Sequence, residues 1–209
     1  MNSTVAYSNR GFIILGIIVE KVTGMPLDKY AKEHIWQPMG MSCTTYNPEQ
    51  CDNIAATEYV EEKNIVKKGI VHDENAEVLG GVAGHAGVFS TASDLSKFCR
   101  NILDKSGNGV ISSKLIEESF KNQTAGMNED RGLGWQIIED ESIKSTVVGH
   151  LGFTGTSIWI DPDSSTYVIL LTNRVHPSRD NTNIQQIRKT VRQIVFNNNS
   201  SEFIEKFVG

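Results

Sequence analysis

At Gly132 the chain changes its periodicity, and this bounds what it can fold into. Downstream, GLGWQIIED, STVVGHLG, GTSIWIDP and STYVILLTNR are short stretches rich in β-branched and aromatic residues. Turn-type segments separate them, among them Asp161-Pro162-Asp163-Ser164-Ser165. Such stretches read as strands, and connections this short join antiparallel neighbours. Three or four strands in a meander are therefore expected. An amphipathic helix follows Asp180, with Ile184, Ile187, Val191, Ile194 and Val195 on one face, and Asn197-Asn198-Asn199-Ser200-Ser201 ends it.

Upstream the pattern is helical. Ser8 or Asn9 can cap a first helix, because either side chain accepts a free N–H of the first turn. Its apolar residues, Phe12, Ile13, Ile14, Leu15, Ile17, Ile18, Val19 and Val22, point almost all round the axis, which predicts a buried helix. Gly11 and Gly16 allow close backbone approach, and Thr23-Gly24 stops the helix. Pro26 starts a second helix with Leu27, Tyr30, Ala31 and Ile35 inward, stopping near Pro38-Met39-Gly40. Residues 42–80 read as loops with short pieces of structure. Gly80, Gly81, Gly84 and Gly87 predict a tight loop. Thr91-x-x-Asp94 is a capping box for a helix from about Ala92 toward Leu103. Asn108-Gly109 is a turn, and Ser112 or Ser113 caps a helix with Leu115, Ile116 and Phe120 inward.

The layout is α+β, with helices packed on an antiparallel sheet. Residues 1–131 are mainly helical and loop, and residues 132–209 are strands plus a closing helix. There are no internal repeats, and no linker divides the chain.

Composition narrows the function classes. A formal net charge of −5, without a run of Lys and Arg, gives no footprint for nucleic acid. No stretch reaches the length of a membrane span. The apolar run after Phe12 has no basic region before it and ends in Glu20-Lys21, so it does not read as a signal peptide, and the compartment stays open. Cys43 and Cys51 are placed to pair, but three cysteines without repeated spacing read more simply as thiols. The five histidines show no ligand spacing, and no phosphate loop or dinucleotide fingerprint is present, so neither a metal nor a cofactor is expected.

Single candidates are modest. Tyr7-Ser8-Asn9 places a phenol and an amide at a helix start, which is also what a packed tyrosine beside a capping residue looks like. His150 ends a strand inside GHLGFTGTS, and one histidine is more often structural than catalytic. Gly149, Gly152 and Gly155 mark places where a ligand or another backbone comes close. His85, in GHAG, is a ligand candidate or a loop residue, the loop reading being the simpler.

Taken together and in order, Tyr7-Ser8-Asn9, Gly132-Leu133-Gly134-Trp135 and His150-Leu151-Gly152 resemble the serine β-lactamase and penicillin-binding-protein family. The segments GGVAGHAGVFSTASDLSKF, GHLGFTGTSIWIDP and LLTNRVHPSRDNTN are similar to the branch that holds class C β-lactamases, D-amino peptidases and esterases. The resemblance covers nearly the whole chain. It implies a partial β-lactamase-like (transpeptidase-like) domain over residues 1–209. Members carry Ser-x-x-Lys, then Tyr-x-Asn or Ser-x-Asn, then Lys-Thr-Gly or a variant. On this pattern Tyr7 takes the proton relay. Asn9 hydrogen-bonds the motif lysine and the substrate amide. His150 stands in for the third-motif lysine, as a donor or a positive charge. Leu151 takes the place of a hydroxyl, Gly152 lets substrate lie along the strand, and the Phe153 N–H is one oxyanion donor. With His150 and Leu151 in the third motif, the resemblance favours an esterase or peptidase-like activity over β-lactam hydrolysis.

No serine in the chain has a lysine three residues on. The resemblance therefore implies a C-terminal portion that begins inside the family's domain and lacks the nucleophile helix and first strands. A tyrosine ordinarily titrates near 10, so one serving as base near neutrality needs that lysine. Three readings follow. The chain is part of a serine hydrolase acting on an amide or ester, inactive alone, with a bare sheet edge open to self-association or complementation. Alternatively it is a binding module that holds a peptide or cell-wall fragment without turnover. The remaining reading is an unrelated α+β protein in which the motifs coincide.

Overall fold

A computed structural model describes residues 4–49, 53–138, 140–143 and 145–197. The chain forms two compact units, each discontinuous in sequence. One contains residues 102–174 and 181–209 together with 1–5, and the other contains residues 6–101 and 175–180.

The first unit holds the meander. Strands β5 (Gln136–Ile138), β6 (Val147–Leu151), β7 (Ser157–Asp161) and β8 (Thr166–Leu170) pair antiparallel in that order. Gly149 stands opposite Trp159, and His150 opposite Ile158. Buried Asp161 holds the β7–β8 turn by accepting from the Ser145 and Ser164 hydroxyls and two backbone N–H groups. Helix α6 (Ile184–Phe196) covers one face through a core of Ile143, Val147, Trp159 and Phe196, with Leu151, Val168 and Val191 packed against it. Helix α5 (Ser113–Phe120) is capped by Ser112.

Two expected helix faces are corrected here. Ile187 and Val195 of α6 are exposed, and Arg188 is buried in their stead. In α5, Ile116 is buried but Leu115 is exposed. Helical periodicity sets which residues share a line but not which line meets the sheet.

In the second unit, α1 (Asn9–Thr23) has Ser8 as its N-cap and left-handed Gly24 as its stop. Helix α2 (Leu27–Ala31) continues through a π-helical turn, Lys32–Trp36. Thr45–Tyr46 (β1) pairs with Val88–Phe89 (β4), and Ala56–Val60 (β2) pairs with Ile65–Lys68 (β3). Helix α3 (Glu74–Val78) and most of α4 (Ala92–Leu103) complete it. Gly16 of α1 lies against the backbone of Gly84, and neither position has room for a side chain. The expected all-round burial of α1 fails: Ile14, Leu15, Ile17, Ile18 and Val22 are exposed.

The Thr91–Asp94 capping box is only half formed. Thr91 Oγ1 accepts from the Asp94 N–H, but the buried Asp94 carboxylate turns to the Cys43 N–H, the Thr44 hydroxyl and Lys97. Cys43 and Cys99 carry free thiols, while Cys51 lies outside the described residues. Residues 175–180 run beside β2. The Tyr59 N–H donates to the Pro177 carbonyl at 2.9 Å and His176 Nδ1 to the Thr57 carbonyl at 2.8 Å. Arg179 forks onto Glu58 through Nε and Nη2, at 2.6 Å for the shortest contact, and reaches Glu74 as well.

Candidate active site

Tyr7 and Asn9 belong to the second unit and His150, Leu151, Gly152 and Phe153 to the first. At the start of α1, Ser8 takes the Gly11 N–H on both its carbonyl and its hydroxyl oxygen. Asn9, relieved of capping, is the first helical residue and is exposed. Tyr7 is exposed, its ring tilted against that of Phe12 at 6.2 Å between centroids. A phenol and an amide thus stand exposed at the entry of a helix that Ser8 caps.

His150 sits on β6, and side chains alternate across a strand. Gly149 and Leu151 share the face that α6 covers, and His150 takes the opposite face. The ladder with β5 stops at Gly149, so β6 continues past the end of its neighbour at His150. Burial, and then the positive charge of Arg131, lowers the His150 pKa below its ordinary 6.5. The imidazole is therefore neutral near pH 7, with one ring nitrogen a donor and the other an acceptor.

After Leu151 the chain makes a tight loop, and each main-chain carbonyl from Gly152 to Thr156 accepts a hydrogen bond. The Gly152 carbonyl takes the Gly155 N–H and Arg188 Nη2. The Phe153 carbonyl takes Arg174 Nε at 2.7 Å, and the Thr154 carbonyl takes the Arg174 N–H at 2.9 Å. Thr172 Oγ1 donates to Gly155, and Thr156 receives both Arg188 Nη2 and the Gly152 N–H. The Arg174 guanidinium also lies 4.2 Å from the centre of the exposed Phe153 ring. A loop whose carbonyls are all held has its N–H groups oriented before any ligand arrives, which is the requirement for an oxyanion site.

The two arginines are the site's supports, and the sequence reading missed both. Arg188 occupies an inward position of α6, four residues after Ile184, where an apolar residue is the rule. It also donates to Ser157 Oγ at 2.7 Å. Its pKa is lowered by burial and by the charge of Arg174, yet a guanidinium starting above 12 stays charged. A charged residue in an otherwise apolar helical stripe was the available signal.

The glycines read as marks of ligand approach have internal reasons. A side chain at Gly149 would strike the Trp159 indole, and one at Gly152 would strike Thr156. Gly155 has φ +116° and lies against the backbone of residues 172–174. Leu151 packs into the α6-side core and lines a depression of about 260 Å³ with Gln136, Arg188, Lys189 and Arg192. His85 takes the loop role: its Nε2 is 2.8 Å from Asp73 Oδ1, and Asp73 caps α3. Among the described residues no three His, Cys, Asp or Glu side chains converge as a metal site would require, and no helix is long and apolar enough to cross a membrane.

Comparison with known proteins gives both relatives in sequence and neighbours in fold. The β-lactamase family model matches residues 2–192. A provisionally assigned D-alanyl-D-alanine carboxypeptidase of Escherichia coli (strain K12) is 35% identical over 196 residues, covering 81% of this chain and 45% of the relative. Its counterpart in Salmonella schwarzengrund (strain CVM19633) is 36% identical over 197 residues, with the same coverage. The chain thus spans just under half the length of these curated relatives. Among solved structures, a penicillin-binding protein homologue of Pyrococcus abyssi, described as octameric, superposes with a TM-score of 0.64 at 20% identity, over 89% of this chain and 46% of that one. A β-lactamase of Mycobacterium bovis gives 0.59 at 23% identity, over 82% and 57%. At these identities the structures attest to the fold alone.

Proposed function

Because the chain belongs to the β-lactamase family, we propose that it carries the proton-transfer and substrate-binding wall of a serine acyl-transfer site for an amide or ester. In this reading the nucleophile and its lysine come from the part of the family domain that the chain does not span. Tyr7 moves the proton of the attacking serine, and Asn9 holds the substrate amide. Neutral His150 donates one N–H toward the substrate. The Phe153 N–H faces the developing oxyanion, a contribution worth roughly 3–4 kcal/mol in such sites. Gly152 and Leu151 meet substrate through their backbone. Edge strand β8, Thr166–Leu170, has neither charge nor proline, which supports strand addition there by the remaining portion or by a second copy.

The observation that carries this reading is the Gly152–Thr156 loop, pre-set beside a neutral histidine. A fluorescent penicillin and a fluorophosphonate test it. The isolated chain takes up neither, since no serine here has its lysine. Stoichiometric labelling at one serine overturns the assignment.

The same loop supports a second reading, because its clamps all lie within one unit and need no nucleophile. The chain then binds a muropeptide or an acyl-D-amino acid without turnover. Saturable heat in calorimetry with those ligands supports it, and a flat titration removes it.

A further inference from the structure

Helix α6 carries a second stripe beside its apolar one. Gln185, Arg188, Lys189 and Arg192 are spaced i, i+3, i+4 and i+7, so they lie on one side of the helix. With Gln136 on β5 and Leu151 at the end of β6 they line the depression of about 260 Å³. Like charges four residues apart on a helix repel, and Arg188 and Arg192 are such a pair. Both are also withdrawn from water: Arg188 is 4% exposed and the Arg192 side chain 15%. Arg188 donates to neutral groups, namely Ser157 Oγ and the carbonyls of Gly152 and Thr156. Among the described residues the three cations share one carboxylate. It is Asp140, whose Oδ2 lies 3.4 Å from Arg192 Nη2 and also accepts from Gln193 Nε2, while its Oδ1 takes Ser142. Arg192 Nε is buried and has no hydrogen-bond partner among the described residues.

Three cations against one carboxylate leave an excess of positive charge around a cavity, and charge withdrawn from water is stable only when it is paired. We infer that this depression binds the phosphate group of a small molecule, as free phosphate or as a phosphate monoester. A planar guanidinium meets two oxygens of a phosphate at once, and the phosphate brings at least three acceptors and a charge of about −1.5 to −2 near pH 7. Gln136 and Gln185 add amide N–H donors around it. A water occupies about 30 Å³ in the liquid, so the depression has room for a group of several such volumes. The site is separate from the one proposed for acyl transfer. Successive side chains point to opposite faces of a strand, so Leu151 turns toward this depression and His150 away from it. The inference therefore goes beyond that reading and does not depend on it.

Calorimetric titration of the full chain with sodium phosphate tests it, at an ionic strength held constant with sodium chloride. Saturable 1:1 binding is expected. Arg192→Met should weaken it at least about tenfold, as the loss of a hydrogen bond to a charged group does. Lys189→Glu should weaken it by as much. Lys189 is exposed, so this variant keeps its fold, which unchanged circular dichroism verifies. Lys105→Glu, at an exposed residue that does not line the depression, should leave the affinity unchanged. Glycerol 3-phosphate distinguishes the sources: binding tighter than that of phosphate assigns the depression to a monoester, and equal or weaker binding assigns it to free phosphate. A response without saturation overturns the inference, and so does an equal affinity in Lys189→Glu. Acetate that displaces phosphate at equal concentration overturns it in favour of a carboxylate.

Discussion

Arg188 donates a 2.7 Å hydrogen bond to the main-chain carbonyl of Gly152, joining α6 to the end of β6 across 36 residues of sequence. The same nitrogen reaches the Thr156 carbonyl, and Nε reaches Ser157. Replacing Arg188 with Met roughly keeps the volume and takes its donor from buried Ser157 Oγ, while the Gly152 and Thr156 carbonyls each keep one backbone donor. A loss of about 2 kcal/mol is expected in urea unfolding, a hydrogen bond to a charged group contributing about 1.5–3 kcal/mol. Amide exchange at residues 153–156 should accelerate as well. Arg188→Lys should recover only part of the loss, because an ammonium cannot fork onto two sites in one plane.

Glu58 gives a pH signature. The Arg179 fork holds its pKa at about 2, against an ordinary 4.5. The folded state therefore binds its proton later than the unfolded state does. The stabilisation is complete above about pH 4.5 and disappears as the pH falls through about 2. Its size is roughly 3 kcal/mol. Glu58→Gln should lower stability by about that amount at pH 7, and the gap from the parent chain should close toward pH 2 in denaturant titrations.

His150 acts at milder pH and through a pKa lowered by burial and Arg131. Below its ordinary 6.5 the unfolded chain takes up the proton first, so acidification favours unfolding. Stability should decline as the pH drops from 6.5 through the folded pKa. His150→Gln should remove that part of the slope. An unchanged slope would place the histidine in open solvent.

The α1 contact makes a steric prediction. A methyl group at Gly84 would fall on the Phe12 carbonyl oxygen, which belongs to the helix backbone and cannot move aside alone. Gly84→Ala should cost about 2–3 kcal/mol, as overpacking does, and lower the thermal midpoint. Gly11→Ala meets nothing within 4 Å and should be neutral or stabilising by up to about 1 kcal/mol through helix propensity.

Much of the fold can be read from residues that act locally. Ser8, Gly24 and Ser112 bound helices through their own side chain or backbone, and the four strands follow from short β-branched runs. What escapes the sequence depends on distant partners. Arg188 is buried because the Gly152–Thr156 carbonyls surround it, and no helical pattern announces those acceptors. Glu58 finds Arg179 121 residues away. Gly149 is glycine because of Trp159 on the next strand, a reason that a count of glycines cannot separate from room for a ligand. Tyr7 and His150 become candidates only in combination, through the order of the motifs and their flanks.

The return of residues 175–180 to the first hundred residues also sets an order of events during synthesis. Chains emerge from the N terminus, and a domain generally folds once its residues are available. Here Glu58 has no guanidinium, and β2 lacks the Pro177 carbonyl, until nearly the whole described chain has been made. Most of the second unit thus precedes residue 102, yet the unit is finished only at residue 180. A ribosome-bound intermediate halted before Arg179 should be the species most in need of a chaperone.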